Sequence, residues 1–103
     1  MAQNNRIKVE HPGVILKEEF MEPFGISAYK LSKTTKIDKM TLSGIINGKK
    51  SITPITALKI SKFFGLSERF WINLQSDYEL RKAKLKIIDD LENIDTIPEA
   101  LTV

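Results

Sequence analysis

The stretch from Ser27 to Lys50, SAYKLSKTTKIDKMTLSGIINGKK, leaves this chain few ways to fold. Ala28, Leu31 and Ser32 mark the inner face of one short helix. Leu42, Ile45 and Ile46 mark that of a second, at the i, i+3, i+4 spacing of an amphipathic helix. Between them Ile37 reads as an apolar plug. Asp38 is placed to accept hydrogen bonds from the free backbone N–H groups that open the second helix. Asn47-Gly48 stops that helix, because both residues tolerate the left-handed conformation of a C-terminal cap. Two short helices joined by so tight a turn outline a helix-turn-helix.

The charges around this motif are one-sided. From Tyr29 to Lys50 there are six lysines (Lys30, Lys33, Lys36, Lys39, Lys49 and Lys50) against a single acid, Asp38. The end of the chain reverses the sign: Asp89, Asp90, Glu92, Asp95 and Glu99 face one base, Lys86. A basic segment laid over a two-helix motif suggests an anionic partner, nucleic acid first. A merely solvated lysine face is the alternative on charge alone.

Taken in order, residues 1–10 are polar and aperiodic and read as a loose N-terminal arm, in which Arg6 and Lys8 either touch phosphate or do nothing. They hold no apolar run of a signal peptide. His11-Pro12-Gly13 opens a helix, proline being tolerated where its missing N–H needs no partner. Leu16 and Phe20 then lie one turn apart, with Glu18, Glu19 and Glu22 on the wet side and Pro23 and Gly25 as the stop. After the central motif, Thr53 is the expected N-cap and Pro54 the first residue of the next helix. That helix shows Ile55, Ala57, Leu58, Ile60, Phe63 and Phe64 as a broad apolar face and ends at Gly65. Ser67 is the expected cap of a long final helix running from Glu68 to about Leu91. Its apolar residues Trp71, Leu74, Tyr78, Leu85 and Ile88 fall near heptad spacing and are read as core or dimer surface. Pro98 ends helix formation in the tail. The class is all-α with about five helices, divided into the arm 1–10, a helix-turn-helix domain over 11–80 and an extension over 81–103.

At 103 residues the chain has room for one core. It has no cysteine and no apolar run near membrane-spanning length, so a soluble, cytoplasmic protein outside the membrane is expected. Catalysis finds no support. There is one histidine, no thiol nucleophile, no Gly-rich phosphate loop, and no spacing of residues suited to a metal or cofactor. His11 reads as structural, and the chain as not an enzyme.

A helix-turn-helix lays the N-terminal part of its second helix against base edges in the major groove. The expected base-reading residues are therefore Asp38, Lys39, Met40, Thr41 and Gly44. Lys39 can donate to guanine, and Met40 or the Thr41 methyl can meet a thymine methyl. Gap-filling is the alternative for Met40. Gly44 leaves the exposed face bare for close approach. Ser27, Lys33, Lys36, Ser43, Asn47, Lys49 and Lys50 are the expected phosphate contacts.

Three stretches, HPGVILKEEFMEPFGIS, LSKTTKIDKMTLSGIINGKKSITPITALKISKFFG and FWINLQSDYEL, make the chain resemble the HigA-type (VapI-like) antitoxins, a branch of the XRE/Cro-like regulators. The match covers roughly residues 11–80. The resemblance implies a lambda-repressor-like domain and a homodimer that represses its own operon at a palindromic operator. It also implies a small RelE-like ribonuclease toxin as partner. In Cro-like relatives the base-reading positions correspond to Lys39, Met40 and Gly44, with Asp38 beside them. Two positions depart from the pattern. Lys36 stands where the family has glycine, which leaves open whether the turn keeps its left-handed form. Ala28 stands where relatives carry a phosphate-binding glutamine, so that contact would pass to backbone N–H groups or to Ser27. An orphan regulator without a toxin, and a toxin-binding module without specific DNA binding, are the alternatives.

Overall fold

The computed structural model describes residues 10–98. Arg6, Lys8 and Glu99 lie outside them. The described residues form six helices and no strand. Helix α1 spans Pro12–Ile15 and runs directly into a π-helical segment, Leu16–Met21. Then follow α2 (Ala28–Thr35), α3 (Lys39–Ile46), α4 (Pro54–Phe64), α5 (Phe70–Lys86) and α6 (Ile88–Glu92). None is long and apolar enough to cross a membrane.

Leu16, Leu31, Leu42, Ile45, Ile52, Ile60 and Trp71 are the large fully buried aliphatic and aromatic residues, each drawn from a different helix or loop except for the α3 pair. Trp71 is the largest of them. Its indole meets Phe20 edge-on with ring centroids 5.0 Å apart and Phe70 at 5.2 Å, so the aromatic side of the core joins α5 to the first helix. Gly13 lets α1 press against the end of α3: a Cβ there would overlap the Ile45 carbonyl oxygen. No other residue fits that crossing.

The α2–α3 turn keeps the left-handed form although lysine occupies it, with Lys36 at φ 65° and ψ 23°. Buried hydroxyls hold it there. Ser32 Oγ donates to the Ile37 carbonyl at 2.6 Å, and Thr35 Oγ1 accepts the Ile37 N–H at 3.3 Å. Ile37 itself is buried, as expected of the plug. An L-residue in this conformation is strained by roughly 1–2 kcal/mol. Lys36→Gly is therefore expected to stabilise the fold by about 1 kcal/mol, less the extra chain entropy of glycine. A urea midpoint that fails to rise would show that the lysine sits there without strain.

Several sequence expectations are corrected. Ala28 is exposed, and Thr35 joins Leu31 and Ser32 on the inner face of α2. Ile55 and Leu58 are exposed, so the buried face of α4 is Thr56, Ala57, Ile60 and Ser61. Ser67 is not a side-chain cap. Its carbonyl accepts the Phe70 N–H at 3.1 Å in a turn leading into α5, whose N-cap position is Arg69. The last helix is also not continuous, because Ile87 at φ −120° and ψ 28° breaks it into α5 and α6. Leu85 and Ile88 are 64% and 51% exposed, so neither belongs to the core; Trp71 does, with Leu74 and Tyr78 partly buried beside it.

Candidate nucleic-acid interface

The candidate face is built from α2, the turn, α3 and the loop to α4. Each of its helices starts on a side-chain cap. Ser27 Oγ accepts the Lys30 N–H at 3.0 Å to open α2. Asp38 Oδ2 accepts from Met40 at 3.0 Å and from Thr41 at 3.3 Å to open α3. The one carboxylate in this lysine-rich stretch is thus engaged with the positive end of α3. Asn47 closes the helix, and Gly48 at φ +74° lets the chain turn back. The Gly44 carbonyl then accepts from both Lys49 (2.7 Å) and Lys50 (3.0 Å). That hydrogen bonding directs Lys49 and Lys50 alongside the helix.

Lys39 and Met40 are exposed and Thr41 is half-buried at the start of α3. Met40 is 77% exposed, which removes gap-filling as its role. The six lysines Lys30, Lys33, Lys36, Lys39, Lys49 and Lys50 are all exposed. Ser43 and Asn47 are linked, the Asn47 amide donating to Ser43 Oγ at 3.3 Å. Gly44 is not an open patch of backbone. A Cβ at this position would lie 2.7 Å from Lys50 Cγ and Cδ, so the glycine seats the aliphatic stem of Lys50 against α3. Two residues with no role assigned from the sequence join the face. Lys59 of α4 donates from Nζ to the Lys36 carbonyl at 3.4 Å. Tyr29 is exposed, with the ammonium groups of Lys33 and Lys39 over its ring. The i, i+4 spacing of Tyr29 and Lys33 was the signal available for it.

Behind the face sits His11, the N-cap of α1, whose Nδ1 accepts the Gly13 N–H at 2.9 Å. Its ring meets Tyr78 of α5 edge-on at 5.0 Å. Burial lowers the imidazole below its ordinary value; a hydrogen bond with the Lys50 backbone opposes this, and the Lys82 charge adds to it. The neutral ring therefore ties α1, the loop after α3 and α5 together. Protonation would take away the acceptor at Nδ1. Because the folded value lies below the unfolded one of about 6.5, this contribution is complete above that pH and declines as pH falls through it. Stability in urea is expected to fall between about pH 7.5 and 5.5, and a His11→Asn chain, whose cap does not titrate, is expected to show less of that fall. Equal slopes would remove His11 from the account.

The arrangement can present a basic, lysine-fringed helix to a polyanion. It offers no nucleophile–base pair, and no group of His, Asp and Glu among the described residues could hold a metal ion. A family of helix-turn-helix proteins matches residues 17–71. Virulence-associated protein I of Dichelobacter nodosus is 35% identical over 83 residues, covering 81% of this chain and 77% of the relative. The solved Pseudomonas aeruginosa antitoxin HigA with higBA promoter superposes with a TM-score of 0.83 at 30% identity, covering 88% of this chain and 100% of that one. The chain belongs to the HigA-type helix-turn-helix family. An addiction module antidote protein of a HigA family from Coxiella burnetii agrees, with a TM-score of 0.81 at 38% identity over 89% of this chain and 100% of its own. As a HigA-type chain it is a helix-turn-helix regulator of the antitoxin class and not an enzyme.

Proposed function

We propose that the chain is a cytoplasmic, dimeric repressor that reads a palindromic operator with α3 and serves as the antitoxin of a RelE-like ribonuclease toxin, autoregulating their shared operon. The observation that carries this reading is the exposed start of α3. Lys39 and Met40 stand clear of the core, with Thr41 half-exposed beside them, on a helix capped by Asp38 and ringed by lysines. The P. aeruginosa HigA was solved with higBA promoter DNA, which supports the same use of the fold. On this reading residues 11–80 are the DNA-binding domain, 1–10 an arm, and 81–103 an extension. Asp38, Lys39, Met40 and Thr41 lie at the bases, with Gly44 acting through the Lys50 stem seated on it. Ser27, Lys33, Lys36, Ser43, Asn47, Lys49 and Lys50 lie at phosphates.

The extension supplies the dimer. Every residue from Glu79 to Ile97 is exposed, including Leu80, Leu85, Ile88 and Leu91. Apolar side chains in such number on one protruding segment call for a cover. A second copy fits by charge, since Arg81, Lys82, Lys84 and Lys86 precede Asp89, Asp90, Glu92 and Asp95. Antiparallel copies would set each basic run against the other's acidic run. Two recognition helices would then meet grooves about 34 Å apart.

The test is binding to the DNA upstream of the chain's own coding region across a salt series, against a scrambled duplex. Selective binding of two chains per duplex is expected. Lys39→Ala should cost about 1–3 kcal/mol and relax choice at one base pair. Lys50→Ala should weaken binding to all duplexes and flatten the salt slope by about one counterion. Equal, weak binding to both duplexes would overturn the repressor and leave a toxin-covering module as the better reading.

A further inference from the structure

Tyr29 lies on the first turn of α2 and is 60% exposed, so burial does not account for a tyrosine there. Two cations from different helices lie over its ring: Lys33 Nζ is 5.6 Å from the centroid, and Lys39 Nζ is 5.4 Å. Lys33 is one turn further along α2. Lys39 is the first residue of α3. A cavity of about 200 Å³ is lined by Ala28, Tyr29, Lys39, Leu42 and Ser43.

A free lysine ammonium samples many rotamers, and fixing it on a base edge costs side-chain entropy at the moment of binding. A ring face that attracts the ammonium removes part of that cost beforehand, because the quadrupole's negative face and the cation hold each other. We propose that Tyr29 is a positioning residue for DNA recognition, holding Lys39 toward the base edges while its other contact keeps Lys33 beside the phosphates. The inference rests on the base-reading role given to Lys39 above and deepens it. It separates the work of the two lysines. Lys39 supplies the choice of base, Lys33 supplies affinity without choice, and the phenol ring fixes their separation across the α2–α3 junction.

Random-sequence duplexes bound by the full chain, recovered and sequenced, give a preference at each base pair. Lys39→Ala is expected to flatten one position. Tyr29→Leu is expected to weaken preference at that same position roughly two- to fivefold, the value of an exposed cation–π contact, with the salt slope unchanged. Tyr29→Phe retains the ring and is expected to keep the preference. A Tyr29→Leu chain with wild-type preferences, or one that loses affinity evenly at all positions, would overturn the positioning role. So would Tyr29→Phe behaving like Tyr29→Leu, which would instead make the hydroxyl a phosphate donor. If Lys39→Ala flattens no position, the base-reading assignment itself falls and takes this inference with it; the two failures are thereby told apart. Tyr29 being exposed, all variants should melt with the parent chain.

Discussion

A Gly13→Ala chain is expected to lose at least about 3 kcal/mol of folding stability, at the upper end of overpacking effects. The added methyl does not meet a flexible side-chain end that could move aside. It meets the backbone carbonyl of Ile45, on the last turn of α3. Relief requires α1 to lift from α3, which would open contacts of Leu16 and Ile45, both fully buried. It would also pull His11 away from Lys50 and Tyr78. For a chain of this size each 1 kcal/mol moves the thermal midpoint by about 4–8 °C, so a fall of more than about 12 °C is expected. A midpoint within a few degrees of the parent would mean that the helices separate more easily than their packing indicates. Because α1 braces the last turn of α3, DNA binding should fail under conditions where part of the population is still folded.

The second large effect lies far from that crossing. Replacing Leu85 and Ile88 together by glutamate is expected to leave the folded monomer intact, since both side chains are exposed on a single copy. It should separate the proposed dimer, because two carboxylates cannot be desolvated against a matching apolar surface. Operator affinity should then fall by roughly 10²- to 10⁴-fold, the loss of linking two half-site contacts. Sedimentation and titration of the same sample decide it. A variant that remains dimeric moves the interface elsewhere. A monomer that binds as tightly as the parent would dispense with the dimer altogether.

Much of the fold was legible because local chemistry and hydrophobic period agreed. Asp38 and Thr53 each cap the helix they precede, and Leu31, Leu42 and Ile45 face inward at the spacing that marked them, whereas the capping of α2 by Ser27 was not read from the sequence. The readings that failed depended on long-range geometry. Ile55 and Leu58 are as apolar as Ile60, and only the packing of α5 and α2 decides which side of α4 is covered. Ser67 has the composition of a cap, but an added turn at Glu68 and Arg69 intervenes before α5. Lys36 keeps a conformation that its own side chain disfavours because Ser32 and Thr35 satisfy the backbone beside it. On the candidate face, the lysines could be named from their clustering. The seating of Lys50 on Gly44 and the placement of Lys33 and Lys39 over Tyr29 needed the third dimension.

Gln75 is buried in α5, where its Oε1 accepts the Ile52 N–H at 2.9 Å and its Nε2 donates to Glu79 at 2.9 Å. Glu79 also accepts from Ser51 at 3.4 Å. The segment that follows α3 is thus bolted to α5, the helix that would reach toward the second copy in the proposed dimer. From Gln75 to Lys86 that helix is an arm of ~17 Å at 1.5 Å per residue. A tilt of about 10° at its far end would carry the reading head some ~3 Å, close to one base-pair step. In a dimer, a partner protein that leans on the arm would put two heads out of phase with the duplex without ever touching DNA.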